Sequence, residues 1–154
     1  MTAEDIRAGI IKILREKQDV TGVENITGED LEQTKDYAAL QKDGEGKTLP
    51  VLQVLVDPVT AGTAAAGYHR DKSVLVDISY MEERYTSRRS IQRMLDILSG
   101  ILLPYFRIGD RAFTPVLSFN VTDGIGHCTF PLEYTDIVPV EVPEPLAGEM
   151  ELDL

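Results

Sequence analysis

Apolar residues recur along this chain with two different periods. Ile6, Ile10, Ile13 and Leu14 fall at helical spacing, with Lys12, Arg15 and Glu16 on the other side, the pattern of a helix that buries one face. Thr2 precedes them and Asp5 stands three positions further on. That is an N-cap with an acidic residue set to satisfy loose amides and to meet the positive end of the helix dipole. The pattern predicts an amphipathic helix over residues 3–17. A second stripe, Ile91, Met94, Leu95, Leu98, Ile101 and Leu102, has Arg89, Gln92, Arg93 and Asp96 opposite; Thr86 or Ser87 caps it and Pro104 closes it.

The strands show the shorter period. "LPVLQVLV", residues 49–56, is an apolar run with β-branched valines, bounded by Pro50 and Pro58, which predicts a buried strand. Val74, Val76, Ile78 and Tyr80 alternate, so one side of that strand faces the core. "VLSFNVTDGIGHCTFPLEY" sets Leu117, Phe119 and Val121 on one face, turns at Asp123 and Gly124, and returns with Cys128, Phe130, Leu132 and Tyr134. This is a β-hairpin, and Pro131 marks an edge strand or a bulge because it cannot donate to a ladder.

Between these elements the pattern weakens. "DVTGVENI" is β-prone, residues 27–40 carry a second Thr-x-x-Asp cap before a short exposed helix, and "QKDGEGK" reads as a turn. "DPVTAGTAAAGYHR", rich in small residues, is expected to be a mobile loop between antiparallel strands. The class that follows is α+β: two main helices packed on one face of a mostly antiparallel β-sheet. Ile10, Leu95, Leu98, Val76 and Phe119 sit at the centre of the expected core. Residues 1–135 form one domain with an insertion at about 24–45, and residues 136–154 an extended acidic C-terminal arm.

Charge changes this picture only when it is located. The net charge is −11 over 154 residues. Residues 24–45 hold seven acids against two bases and residues 133–154 seven against none, so −5 and −7 leave the remainder at +1. Acidity belongs to the insertion and the arm, as solvated segments would have it. No basic footprint for nucleic acid dominates. No apolar run reaches the ~20 residues of a membrane span, and the start lacks a signal-peptide pattern, which together predict a soluble intracellular protein. Cys128 is the sole cysteine, which excludes an internal disulfide and reads as a small buried hydrophobe.

Candidate chemistry is sparse. His69 lies beside Arg70 and Asp71, and His127 opens a strand, but neither has a ligand at metal-site spacing. "TDGIGH" has glycines without a phosphate-binding lysine and reads as a turn. No catalytic, cofactor or metal residues are assigned, and an enzyme is not expected. Arg84, Arg88, Arg89 and Arg93 cluster at the second helix. They are the candidate subunit interface, with solvation as the plain alternative.

The order of these pieces resembles the phage tail terminator-like proteins of long-tailed phages and prophages. The likeness is carried by "AEDIRAGIIKILREK", "LPVLQVLV", the charged entry into "SVLVDISYM", "RRSIQRMLDILSGIL" and the hairpin with its Asp-Gly turn, and covers most of residues 1–135. The stretch 24–45 is longer than the family's usual link, and the acidic arm is an addition. The resemblance implies a structural virion protein. It would form a ring, commonly a hexamer, that caps the tail tube, ends its polymerisation and offers a joining surface to the head connector. Its partners would be copies of itself, the tail tube protein and a neck protein, with assembly in the host cytoplasm and no cofactor. The alternatives are another neck or head-tail joining protein and, from a different class, a small-ligand-binding regulatory domain.

Overall fold

In a computed structural model, residues 1–28, 50–63, 69–82 and 87–137 are described. Helix α1 spans Ala3–Glu16. Its capping box is complete: the Thr2 hydroxyl accepts from the Asp5 amide at 3.1 Å, and the Asp5 carboxylate accepts from the Thr2 amide at 2.7 Å. The Thr2 amide accordingly holds the Asp5 carboxyl below its ordinary range. Glu4 pairs with Arg7 one turn on. Ile6, Ile10 and Leu14 are fully buried. A single helical turn, α2 (Gln18–Thr21), ends at Gly22 with φ +71°, the left-handed geometry that favours glycine. The β-prone stretch thus divides into this turn and a short strand, β1 (Asn25–Thr27).

Two long strands follow. β2 spans Val51–Thr63 and β3 His69–Met81. The expected mobile loop at 57–70 is therefore mostly ladder: pairing continues past a bulge between Pro58 and Thr60 to Thr63 opposite Arg70. Small residues anchor no core, yet backbone hydrogen bonds to a strand already paired on its far side hold them extended. A cross-strand Thr60–Ser73 hydroxyl bond of 2.6 Å adds to the ladder.

Helix α3 is Arg88–Leu102, with Ser87 as its N-cap. Beyond it lies a small separate ribbon, β4 (Phe106–Ile108) with β5 (Arg111–Phe113). Sequence patterning did not indicate it, because three-residue strands are too short to show a period. Its Phe106 packs edge-on against Phe130 at 6.0 Å between ring centres. The hairpin is β6 (Ser118–Thr122) and β7 (Ile125–Ile137). Asp123 and Gly124 form its two-residue turn with φ +52° and +76°, the doubly left-handed geometry of a type I′ turn.

The main sheet has the order β1-β2-β3-β7-β6, antiparallel except for β1 against β2. Leu52, Val54, Val56, Val74, Val76, Ile78, Tyr80, Cys128, Phe130, Leu132 and Tyr134 join the buried stripes of α1 and α3 in one core cluster. Close approach of α3 to the sheet depends on Gly126, where a Cβ would lie 2.5 Å from Ile91. Phe119 departs from expectation. It pairs with Cys128 and so points to the core side, yet it is 48% exposed because β6 is the margin strand and the core cluster stops short of it. Pro131 lies past the reach of β6, where β7 has no outer partner strand among the described residues and a missing N–H costs nothing. The pairing of β7 continues through Ile137, two residues into the expected arm. The expected helix at 27–40 falls, after Gly28, outside the described residues.

Candidate functional site

Three polar groupings stand out on this scaffold. The first surrounds Asp136, near the end of β7. Its carboxylate takes the Met1 ammonium at 3.1 Å and Lys72 at 3.2 Å on one oxygen, and Arg111 at 2.8 Å on the other. Lys72 also donates to the Met1 carbonyl at 3.1 Å. Burial pulls the Asp136 carboxyl upward, but hydrogen bonds from the N-terminal ammonium and Lys72 outweigh it, and the group stays below the usual carboxylate range. Four segments distant in sequence are tied here: the start of α1, β3, β5 and β7. Lys72 and Arg111 also approach the Tyr134 ring, at 5.9 and 5.7 Å from its centre. Sequence reasoning missed this clamp. The available signal was Lys72, which shares the parity of Val74 and Val76 and so points a charge toward the core side.

The second grouping is Asp77, Ser79 and His127, on the sheet side opposite the core cluster. These are the residue types of a hydrolase triad, but the geometry is different. The Ser79 hydroxyl and Asp77 carboxylate both approach the same imidazole nitrogen, Nδ1, at 3.1 Å, and Ser79 also donates to Asp77 at 3.2 Å. A triad uses opposite ring nitrogens, one for the nucleophile and one for the orienting acid. This is a cross-strand polar knot between β3 and β7. Cys128 offers no nucleophile either: burial, with Asp77 nearby, pushes its thiol up to about 12. Among the described residues no three His, Cys, Asp or Glu side chains gather as a metal site.

A cleft of about 330 Å³ lies between these features, lined by Thr60, Asp71, Lys72, Ser73, Glu133, Tyr134 and Thr135. Most of its polar groups already satisfy one another. Thr60 bonds Ser73, Thr135 donates to Asp71 at 2.7 Å, and Lys72 is held by Asp136.

The third grouping is the arginine face of α3. Arg88, Arg89 and Arg93 are exposed, and among the described residues none makes an ion pair. Arg84 lies outside the described residues. The hairpin tip, Asp123 and Gly124, sits close by, since Gly126 packs under Ile91 of the same helix. Glu82 ties β3 to this helix end by accepting from Tyr80 at 2.6 Å and from Ser90 at 2.7 Å. Burial, with Glu82 adding to it, drives the Tyr80 phenol well above its ordinary value, so it stays a donor. The structure thus brings three of the four predicted arginines and the predicted turn to one end of the sheet. The margin strand β6 runs from that end with Phe119 uncovered, and Val116 before it is 79% exposed.

A family model described as "Phage tail terminator protein" matches residues 5–144. The chain belongs to that family. It is a structural component of the phage tail, as the resemblance implied, and its α+β fold with a mostly antiparallel five-stranded sheet agrees. No curated protein matches the chain. No helix among the described residues is long and apolar enough to cross a membrane.

Proposed function

We propose that this tail terminator family member forms a ring, of six copies in the usual family arrangement, that caps the tail tube, ends its polymerisation and offers the joining surface for the head connector. It acts as a non-catalytic part, assembled in the host cytoplasm. The observation that supports this reading is the sheet end where Arg88, Arg89 and Arg93, exposed and without an ion pair among the described residues, lie near the hairpin tip, with half-exposed Phe119 further along the margin strand. Such a surface has charge and apolar area to bury and no reacting group. A closed ring is built from two unlike surfaces meeting head to tail. The margins of this sheet are unlike: β6 on one side, short β1 and the upper part of β2 on the other. Ser118–Thr122 carries no lysine, proline or bulge to guard its open edge. If both helices lie on one sheet face, the part of the opposite face around Leu75, which is 44% exposed, is open to neighbours, while Val51, Gln53, Ser79 and Met81 on that side are buried. A small-ligand role is less well supported, because the groups lining the cleft are mutually paired.

Electron microscopy of tails assembled with and without the protein tests the proposal. Without it, tubes of uncontrolled length that fail to join heads are expected, and adding it back should place rings at tube ends. Tails of normal length joined to heads in its absence would overturn the reading.

A further inference from the structure

We propose that the arginine face of α3 is the seat of the acidic C-terminal segment, residues 138–154, of a neighbouring copy. This rests on the ring reading and adds which parts of two copies meet.

The first support is an electrostatic mismatch. Arg88 and Arg89 are the first two residues of α3, and its first turn holds no acid. Cations there oppose the positive end of the helix dipole. The described carboxylate nearby, Glu82, takes the hydroxyls of Tyr80 and Ser90 on one oxygen, and its other oxygen is buried away from the surface. Some cations elsewhere find anions or carbonyls, Arg7 and Arg111 carboxylates, Arg15 the Ile26 carbonyl and Lys72 both; what sets Arg88 and Arg89 apart is their place at the positive end of a helix. Three guanidinium groups on the outer side of one helix, two of them at the wrong end of its dipole and none with an ion-pair partner among the described residues, make a surface that an added anion would complement.

The second support is the composition of the segment. Residues 138–154 contain Glu141, Glu144, Glu149, Glu151 and Asp153 and no cation. Pro139, Pro143 and Pro145 bias its first part toward extended backbone, which lowers the ordering cost of laying it on a surface.

The third is reach. Gly126 lies under the start of α3, and β7 runs from there to Ile137. At ~3.3 Å per residue the segment is rooted about 36 Å from the arginines of its own chain. Glu141 and Glu144, four and seven residues past Ile137, extend only ~13 and ~23 Å from that root. Within one copy these two fall short, and only Glu149, Glu151 and Asp153, at ~40 to ~53 Å, could span the distance. A neighbour whose segment is rooted near this α3 would make the whole acidic run usable.

The test uses the full chain, followed by sedimentation velocity at 0.1 and 1 M salt and by tail-completion assays. One variant reverses the patch (Arg88→Glu, Arg89→Glu, Arg93→Glu). A second neutralises the five arm carboxylates to Gln or Asn and leaves the folded body untouched. A third joins the reversed patch to five arm lysines. Each of the first two should weaken assembly by about tenfold or more, as several partly exposed ion pairs together would, and high salt should do the same to the wild type. The third should restore assembly. A mixture of Arg93→Cys copies with Glu149→Cys copies should give a bismaleimide-linked pair of different copies, since buried Cys128 does not compete. If assembly is unchanged in the first two variants while wild-type rings persist, this inference fails and the ring reading stands. If patch reversal blocks tail completion but arm neutralisation does not, the arginines serve another protein and the inference is again overturned. A wild type that stays monomeric, alone and on tail tubes, overturns both.

Discussion

Helices α1 and α3 bury comparable stripes, three fully enclosed residues on α1 and five nearly enclosed ones on α3, but their ends are finished differently. In α1, Glu4 and Asp5 face the positive end of the dipole, Arg15 faces the negative end, a capping box closes the start, and the Met1 ammonium before it is anchored on Asp136. In α3 the first turn is cationic, the last turn has no base, and the outer arginines have no partner among the described residues. Their inner faces meet the same demand, because a core stabilises whatever helix fills it. Outer ends are free to differ, and the cationic start of α3 is not arranged to favour its own dipole.

The strongest test of the shared half of this comparison is truncation. Leu14→Ala and Leu98→Ala, both at fully enclosed sites, should each cost about 2–5 kcal/mol in urea melts. A loss below about 1 kcal/mol at either would mean that its stripe is not core.

Acid should next separate the two helix starts. The Asp136 carboxyl is depressed in the folded state, so its stabilising effect is present above the ordinary carboxylate pKa of about 4. It is lost as pH falls through that value toward the lower folded one. Wild type should therefore lose more stability between pH 5 and pH 2 than Asp136→Asn, with smaller losses than the leucine truncations at every pH. Parallel acid melts of the two would show the anchor at α1 to be idle.

Thr2→Ala removes the hydroxyl that accepts the Asp5 amide and should cost about 1 kcal/mol by thermal melting. A neutral result would indicate that the end of α1 is held by the Asp136 anchor alone.

The smallest effect is the most discriminating, because its sign is reversed. Arg88→Glu places an acid in the first turn of α3 and should stabilise the folded monomer by about 0.3–1 kcal/mol at low salt, whereas Glu4→Arg in α1 should cost a similar amount. Destabilisation by Arg88→Glu would show that the arginine is paired within its own fold, and the contrast between the helices would collapse.

What the sequence alone determined is what short-range physics controls. The two helical stripes, the cap at Thr2, a cap at Thr86 or Ser87, the alternating face of Val74 to Tyr80 and the turn at Asp123 and Gly124 each depend on residues within a few positions of one another, and each could be read from the sequence, the choice of Ser87 alone being left to the structure. Features needing distant segments could not. Thr60–Thr63 becomes strand because β3 is there to pair with it, and β3 stays extended through Lys72 because β7 backs it to Ile137. Phe119 has the right parity for the core and misses it because the margin position of β6 follows from strand order, which local pattern does not encode. Asp136 gathers the Met1 ammonium, Lys72 and Arg111 across more than a hundred residues of chain. The candidate surface divides the same way: its arginines were legible as an uncommitted helix face, but only the packing of Gly126 beneath Ile91 brought them beside the hairpin tip. Local sequence sets which faces must be buried; the long-range ladder decides which of them are covered and which remain for a partner.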